Sequence, residues 1–339
     1  MPRRWTQRCV FKAVSCLWAL GSAVGVYQEA EAEVFLVRPD GTGDFPTIIA
    51  AVEAAADGDT IELEDGVFRG VGNRNIHMTE DVSVRSRSGN SKECVIDCEG
   101  SVSSPAQGFD LVFVQSATFE GLTIRNGYVA TGAAMSMWGS SPLIRNCIFE
   151  NNTALQGGAF CFARGEPVLE RCVIASNVAT EFPAGGIFCD RTELTIRHCT
   201  IVGNSSGVDA DGPREAGGIA LANKSNVLIE HTIIADSPRG EAVWCQTGST
   251  VEVVCSDFFG NAGGDWIGCV EELLGTNQNF SLPPLFCSPD THDYTLRENS
   301  PCAPPGVTEC GLVGALEVAC QPTPIERLSW GAIRGRYRR

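Results

Sequence analysis

The sequence has little positive charge. It carries 25 lysine and arginine residues against 41 aspartate and glutamate residues, for a formal net charge of -16. The basic residues are concentrated towards the two ends, so residues 33–322 are more acidic than the chain as a whole. Nucleic-acid binding needs clustered basic side chains, and this composition therefore argues against a nucleic-acid partner. An acidic body also repels polyuronic acids unless a divalent cation bridges the two.

Long apolar runs are missing after the N-terminal segment. That segment has a basic start, an apolar stretch over 13–26 and small residues at 30–32, which together predict a signal peptide over 1–32. The apolar stretch is shorter than the roughly 20 residues that a membrane-spanning helix needs. We therefore expect an extracytoplasmic protein, secreted or held in the cell envelope, without a membrane span once the signal is cleaved.

Aromatic residues are also scarce, at 8% of the chain, whereas 37 glycines favour turns and β structure over helices. None of the 16 cysteines belongs to a C-x-x-C pair, which disfavours a zinc ribbon. Cysteine-rich exported chains commonly form disulfides. We expect disulfides, of undetermined connectivity, in the Pro- and Gly-rich C-terminal region, which contains Cys287, Cys302, Cys310 and Cys320.

One phrase recurs through the middle of the chain. It reads CIFENNTALQGGAFC over 147–161 and CVIASNVATEFPAGGIFC over 172–189. The spacing from Gly132 to Asn152 equals that from Gly157 to Asn177, whereas the return from asparagine to the next Gly-Gly pair lengthens from copy to copy. A constant unit with a variable connection predicts a stacked element with loops outside the stack.

Within the unit, apolar residues alternate in short runs bounded by Gly, Asn, Ser and Pro, which predicts short strands. Repeats of about 25 residues that cannot bury their own side chains predict a solenoid of stacked coils. Asparagines at equivalent corners, such as Asn177 and Asn204, would stack and hydrogen-bond to one another. Glycosylation is the alternative for Asn204, which begins an N-x-[ST] sequence.

The cysteines of the repeat occupy repeated positions. Cys147, Cys172 and Cys199 align with one another, and Cys161 aligns with Cys189 when the Gly-Gly pairs are superposed. These alignments predict two inward-facing columns of small thiols. A disulfide between adjacent coils is the alternative, because in-register neighbours lie within disulfide reach.

The start of the chain fits the same architecture. Residues 34–63 predict a strand, a Gly turn, a helix over 46–56 and a second strand, and the helix would cap one end of the stack. These features resemble the right-handed parallel β-helix of the pectin-lyase-like superfamily. The F-x-x-N and G-G-A elements, here Phe149–Asn152 and Gly157–Ala159, are similar to the repeats of polymorphic outer-membrane proteins. The resemblance implies an all-β, right-handed parallel β-helix of about ten coils over 33–321, with an N-terminal capping helix.

The resemblance does not extend to the active sites of the known enzymes. The pattern G-D-F-x-T-I at 43–48 is similar to the opening of pectinesterases, but their QDT, DFIFG and GRPW stretches are missing. The motifs of the best-known pectate lyases and polygalacturonases are missing as well. The resemblance therefore implies a monomeric, non-catalytic binding module for a polysaccharide or another envelope component. The alternative is a polysaccharide lyase or hydrolase, with calcium as its candidate cofactor.

The variable loop SSGVDADGPREA, residues 205–216, is the candidate ligand site. Asp209, Asp211 and Glu215 bring three carboxylates together beside Arg214. The D-x-D-G sequence is similar to part of a calcium loop, so calcium is the candidate metal and cofactor. A solvated turn is the alternative, because the full calcium-loop spacing is missing.

Two further features are open to more than one interpretation. His198 and His231 should stack in adjacent coils, either as a paired-histidine metal site or as part of a polar face. The segment 322–339 changes abruptly in composition and is basic. It is either an amphipathic sorting or attachment element or an unstructured end.

Overall fold

The computed structural model describes residues 32–207, 215–306 and 309–321. The chain winds into a right-handed parallel β-solenoid, which confirms the predicted all-β fold. Apart from Ala32, the predicted signal peptide lies outside the described residues, as does the tail 322–339. No helix in the described part of the chain combines the length and apolarity needed to cross a bilayer.

Three parallel sheets, named sheets A, B and C, form the walls of the solenoid. Sheet A has nine strands, at Val34–Val37, Thr60–Leu63, Ser83–Ser86, Thr118–Glu120, Leu143–Arg145, Val168–Glu170, Glu193–Arg197, Asn226–Glu230 and Thr250–Val254. Sheet B has eight, at Gly66–Phe68, Cys94–Asp97, Thr123–Arg125, Ile148–Glu150, Val173–Ala175, Thr200–Val202, Ile233–Ala235 and Asp257–Phe259. Sheet C has seven, at Ile76–Met78, Phe109–Val112, Met135–Trp138, Phe160–Ala163, Ile187–Asp190, Ala216–Ala222 and Glu241–Cys245.

Two smaller sheets complete the fold. A corner sheet joins sheets B and C in four coils, at Tyr128–Thr131, Thr153–Gln156, Val178–Ala179 and Ser205–Ser206. A C-terminal sheet contains Phe286–Ser288, Asp293–Arg297 and Val318–Cys320, with its first pair antiparallel and its second parallel. The helices among the described residues are one α-helix, Ile48–Val52, and two 3-10 helices, Gly268–Leu273 and Pro289–Thr291.

The capping helix is shorter than the predicted 46–56. It spans Ile48–Val52, is capped by the Thr47 side chain, which accepts from the Ala50 N–H, and buries Ile48, Ala51 and Val52. It ends early because the Asp59 carboxylate accepts from the Ala56 and Glu33 N–H groups, both at 2.8 Å, and directs the chain into the next strand. The prediction of a cap was right, but its length was overestimated.

Inward-facing side chains stack in register to fill the solenoid. In sheet A the buried column runs through Phe119, Ile144, Leu169 and Ile196. Fully burying one such side chain contributes about 1.5–3 kcal/mol. Each coil obtains that contribution only by lying on its neighbours, which is why the unit repeats.

The predicted asparagine ladder is confirmed. The Oδ1 atom of Asn177 accepts from the backbone and side-chain N–H groups of Asn152, both at 3.0 Å. Asn177 in turn donates from Nδ2 to the Phe149 carbonyl, and its backbone N–H donates to Oδ1 of Asn204. All three asparagines are fully buried, so Asn204 cannot serve as a glycosylation site.

A second ladder runs along the corner between sheets A and B. The Cys172 N–H donates to the Cys199 sulfur at 3.5 Å, and the Cys199 N–H donates to Oγ1 of Thr232 at 3.2 Å. The Thr232 N–H donates to Oγ of Ser256 at 3.1 Å. Cys147, Cys172 and Cys199 are buried free thiols, which confirms the first predicted cysteine column.

The second predicted cysteine column is wrong. Cys161 pairs in register with Phe188, whereas Cys189 pairs with Phe162. Cys161 therefore faces outward and is half-buried, and Cys189 faces the core. Superposing the Gly-Gly pairs misplaces this strand by one residue, because Ala184 takes the left-handed conformation at φ 86° that Gly157 takes one coil earlier. A one-residue slip moves every side chain to the other face.

After the last coil the chain covers the end of the core and then folds back over the outer face of sheet B. Trp266 stacks on Phe258 with ring centroids 4.2 Å apart, which closes the end. Farther on, the Gly314 N–H donates to the His231 carbonyl at 2.8 Å, and the Ala315 N–H donates to Oγ1 of Thr200 at 3.0 Å. This folded-back C-terminal segment was not predicted from the sequence.

Disulfides stabilise this region, as predicted for Cys287, Cys310 and Cys320. The described residues contain three, Cys245–Cys269, Cys255–Cys310 and Cys287–Cys320. Cys302 was wrongly assigned to a disulfide. It is a buried free thiol whose sulfur lies 3.3 Å from Oδ2 of Asp257.

The asparagine ladder gives a first prediction. Asn177→Ala removes the acceptor of the Asn152 N–H and the donor to the Phe149 carbonyl, both inside the fold. Leaving one buried polar group unsatisfied costs about 1–3 kcal/mol, so we expect a loss of at least about 2 kcal/mol. Urea unfolding measures it. Asn226→Ala, at an exposed strand position, is the matched control, and an equal loss in both variants would show that the ladder does not stabilise the fold.

A second prediction concerns Asp257, which is buried beneath the C-terminal segment. Burial raises the pKa of this carboxyl to about 7, against the opposing hydrogen bonds from the Leu282 N–H and Cys302. Because this pKa exceeds the ordinary value of 3.8, the neutral carboxyl stabilises the fold fully below about pH 4. That stabilisation is lost as the pH rises through about 7.

Asp257→Asn should therefore reduce the decline in the free energy of unfolding between about pH 4 and pH 7. Urea unfolding at several pH values in that window measures the slope. Asp290→Asn, on an exposed residue of the same C-terminal segment, should leave the slope unchanged. A slope in Asp257→Asn that matches the wild type would contradict the assignment.

Candidate functional site

The outer face of sheet C presents a column of polar side chains contributed by consecutive coils. His77, Asp110 and Ser136 are register partners on neighbouring strands. Nδ1 of His77 lies 2.9 Å from Oδ2 of Asp110, and Oγ of Ser136 donates to Oδ1 of Asp110 at 2.7 Å. The three side chains, named here the polar column, form one hydrogen-bonded group that is open to solvent.

Aromatic side chains lie beside the polar column. Trp138 follows Ser136 on the same strand and faces the same way, with 42% of its surface exposed. Phe113, in the turn after the neighbouring strand, is 63% exposed. The Arg164 guanidinium lies 5.0 Å from the Trp138 ring centroid, within the range of a cation–π contact. Phe113, Trp138 and Arg164 are named here the aromatic platform.

Charges near the platform are mixed in sign. Asp190, two coils farther along the face, pairs with Arg191 at 3.0 Å and accepts from Nδ2 of Asn223 at 2.6 Å. Cys161 continues the polar column, but burial, followed by Asp190, raises the pKa of its thiol to about 12. Cys161 is therefore protonated at neutral pH and is not an activated nucleophile.

The polar column has limited catalytic chemistry. Asp110 orients the imidazole of His77 through Nδ1, and the side chain of His77 is 58% exposed. A histidine held in this way can act as a general base towards water through its other nitrogen. Ser136 donates to Asp110 rather than to His77, so the geometry does not activate the serine as a nucleophile.

The outer face of sheet A is less suited to a ligand. Its central column alternates in sign along seven register partners, Glu62, Arg85, Glu120, Arg145, Glu170, Arg197 and Glu230. Three neighbouring pairs, Glu62–Arg85, Glu120–Arg145 and Arg197–Glu230, approach to 3.0, 2.8 and 2.7 Å, so these six charges neutralise one another. A groove of about 570 Å³ lies nearby, but its lining contains no aromatic residue.

The predicted calcium loop is mostly outside the described residues. Asp209, Asp211 and Arg214 fall in the segment 208–214, and only Glu215 can be placed. Oε2 of Glu215 accepts from Oγ of Ser206 at 2.8 Å, immediately before the strand Ala216–Ala222 of sheet C. Within residues 32–207, 215–306 and 309–321, no three His, Cys, Asp or Glu side chains are arranged to hold a metal. Calcium binding by the loop stays a prediction.

His198 and His231 stack as predicted. Their ring centroids are 4.7 Å apart and their planes differ by 22°. Burial, His231 and Arg171 lower the pKa of His198, in that order of importance. The pair lies where the C-terminal segment crosses sheet B, since the Gly314 N–H donates to the His231 carbonyl. The stack belongs to the contact between that segment and sheet B.

The polar column and the aromatic platform were not predicted from the sequence. His77 and Asp110 are 33 positions apart, whereas Asp110 and Ser136 are 26 apart, so no fixed spacing connects them. The coil that carries His77 precedes the clear repeats. Only the observed register brings the three residues together, although the outward positions of M-S-M-W (135–138) follow from strand alternation.

The fold defines this protein as a right-handed β-helix repeat protein. A family model described as a right handed beta helix region matches residues 64–215. A search of curated protein sequences finds no significant match.

Two solved structures are similar to this chain at low sequence identity. The crystal structure of pectate lyase Pel9A is 14% identical with a TM-score of 0.47, covering 86% of this chain and 97% of that chain. Pectin methylesterase from carrot is 12% identical with a TM-score of 0.40, covering 76% of this chain and 90% of that chain. Similarity at this level does not transfer an activity, so function has to be argued from the site itself.

Proposed function

We propose that this protein is an extracytoplasmic binding module that holds a polysaccharide against the outer face of sheet C. The observation that carries the proposal is the aromatic platform beside the polar column. Sugar rings offer an apolar face that stacks on aromatic side chains, and hydroxyl groups that hydrogen-bond to carboxylates, imidazoles and hydroxyls. Trp138 and Phe113 supply the first contact, and Asp110 and Ser136 supply the second.

The rigidity of the face supports binding of an extended chain. Trp138, Ser136 and Asp110 lie on strands with a paired strand on both sides, whereas His77 lies on the edge strand and is paired on one side, so binding requires little ordering of the protein. Successive coils extend this open face along the solenoid axis, which gives an extended ligand room to lie along it. The acidic character of the chain favours a neutral glycan over an anionic one.

Location outside the cytoplasm is part of the proposal. Three disulfides hold the C-terminal region, and disulfides persist mainly in oxidising compartments. The predicted signal peptide is consistent with export. A secreted or envelope location agrees with a polysaccharide partner, and binding by a single chain needs no second copy.

A lyase or hydrolase is the second candidate function, and the hydrogen-bonded His77 and Asp110 pair is what favours it. The exposed imidazole could serve as a general base next to a bound sugar. Binding is the better-supported function, because the polar column offers one base and no separate acid or activated nucleophile within the hydrogen-bonded group.

A panel of neutral and acidic polysaccharides, with and without calcium, tests the binding proposal. Trp138→Ala should weaken binding of the best glycan by about tenfold or more, because it removes the stacking surface. Leu274→Ala removes a side chain of similar exposure (47%) outside sheet C and should bind like the wild type. Isothermal titration calorimetry measures both. Unchanged affinity in Trp138→Ala would move the site away from this face.

Product analysis separates binding from catalysis. Prolonged incubation of the best-bound glycan with the protein should leave its chain length unchanged if the protein only binds. Release of shorter products by the wild type, with no release by His77→Ala, would establish the enzyme alternative. Chromatography of the products measures the outcome.

The calcium prediction is tested separately. If Asp209, Asp211 and Glu215 hold calcium, a hundredfold excess over the dissociation constant should stabilise the fold by about 2.7 kcal/mol. Thermal melts of the wild type and of Asp209→Asn/Asp211→Asn, with calcium titrated at fixed ionic strength, measure this effect. An equal shift in both proteins, or none in either, would identify the loop as a solvated turn.

A further inference from the structure

A cleft of about 250 Å³ separates the outer face of sheet B from the folded-back C-terminal segment. The floor is mostly apolar, with Val95, Ile148 and Val173 lining it from sheet B and Thr123 in register between the first two. Tyr294 lines it from the C-terminal segment. The volume is slightly below the roughly 300 Å³ at which sites for drug-sized molecules begin. The cleft therefore suits one small ring rather than a polymer.

One side of the cleft carries an unpaired cation. Lys92 lines the cleft from the turn before the strand Cys94–Asp97. Across residues 32–207, 215–306 and 309–321, its ammonium group has no hydrogen-bond or ion-pair partner. A free ammonium beside a partly enclosed apolar surface favours an anionic group on a ligand.

The other side carries hydrogen-bonding groups of both charge signs, including the Asp293 carboxylate, whose Oδ1 accepts from the Thr295 N–H at 3.2 Å. Arg125 and Glu150 are register partners at the C-terminal ends of their strands, whereas Lys92 precedes the start of its strand. They therefore line the cleft at the opposite end of these strands from Lys92. The Arg125 guanidinium is paired with Asp97 at 3.1 Å, and Oε2 of Glu150 lies 3.1 Å from Nδ1 of His292. These groups match the hydroxyls of a ligand better than a second charge.

We infer that this cleft is a binding site for a small hydroxylated carboxylate of about one sugar ring, such as a single sugar acid. The carboxylate lies at Lys92, the hydroxyls lie at Arg125, Glu150 and His292, and the ring rests on the apolar floor. The site does not share any residue with the aromatic platform or the polar column. The inference can therefore be tested independently of the proposed function.

Titration of the full chain with D-glucuronate tests the inference, with D-glucose as the uncharged counterpart of the same size. Glucuronate should bind at least about tenfold more tightly than glucose, because only the acid satisfies Lys92. Lys92→Met should remove this preference. Lys224→Met neutralises the other lysine among the described residues, which lies outside the cleft, and should keep the preference.

Calorimetry at fixed ionic strength gives the affinities, and chemical-shift changes locate the ligand. Absence of glucuronate binding, equal affinity for the acid and the neutral sugar, or equal loss in both lysine variants would overturn the inference. Lys92 is exposed, so its substitution should leave the fold intact, which circular dichroism checks. Trp138→Ala should bind glucuronate like the wild type, which separates this site from sheet C.

Discussion

The corners of the solenoid place backbone N–H groups inside the protein, and the fold depends on giving each of them an acceptor. A buried N–H without a partner costs about as much as several favourable contacts contribute. Asn177 serves the corner after sheet B, Thr232 serves the corner between sheets A and B, and Ser225 serves the corner between sheets C and A. The side chain differs from corner to corner, but each accepts a hydrogen bond from the coil before it.

This constraint explains which parts of the fold could be predicted from the sequence. The asparagine ladder was predictable because the short asparagine amide supplies both an acceptor and a donor at that corner and recurs in successive coils. The orientation of Cys189 was not, because Ala184 replaces a glycine in a left-handed turn and shifts the register by one residue. Core packing decided that register, and glycine spacing could not reveal it. The folded-back C-terminal segment was equally hidden, since its contacts join positions far apart, such as His292 and Glu150.

The candidate site was harder to predict than the fold for a related reason. Residues that fill the core repeat with the coil, whereas outward residues are free to differ in every coil. His77, Asp110 and Ser136 form a group only because their strands are in register, and the coils between them differ in length. The predicted site at Asp209, Asp211 and Glu215 rested on local clustering of charge. A cluster of charged residues is visible within the sequence of one loop. Predicting a column of side chains on a sheet requires the register of several coils.

The outer faces of the three sheets also differ in how much of each is covered. This difference determines which kinds of ligand each face can bind. Sheet A presents charges that neutralise one another, and the C-terminal segment covers much of sheet B, leaving the cleft at Lys92. The polar column and the aromatic platform of sheet C stay open to solvent beside hydrogen-bonding groups. An open, rigid face suits an extended neutral chain, whereas a partly closed cleft with one unpaired cation suits a single small anion. The same stacked coils can therefore support two sites with opposite preferences for ligand charge.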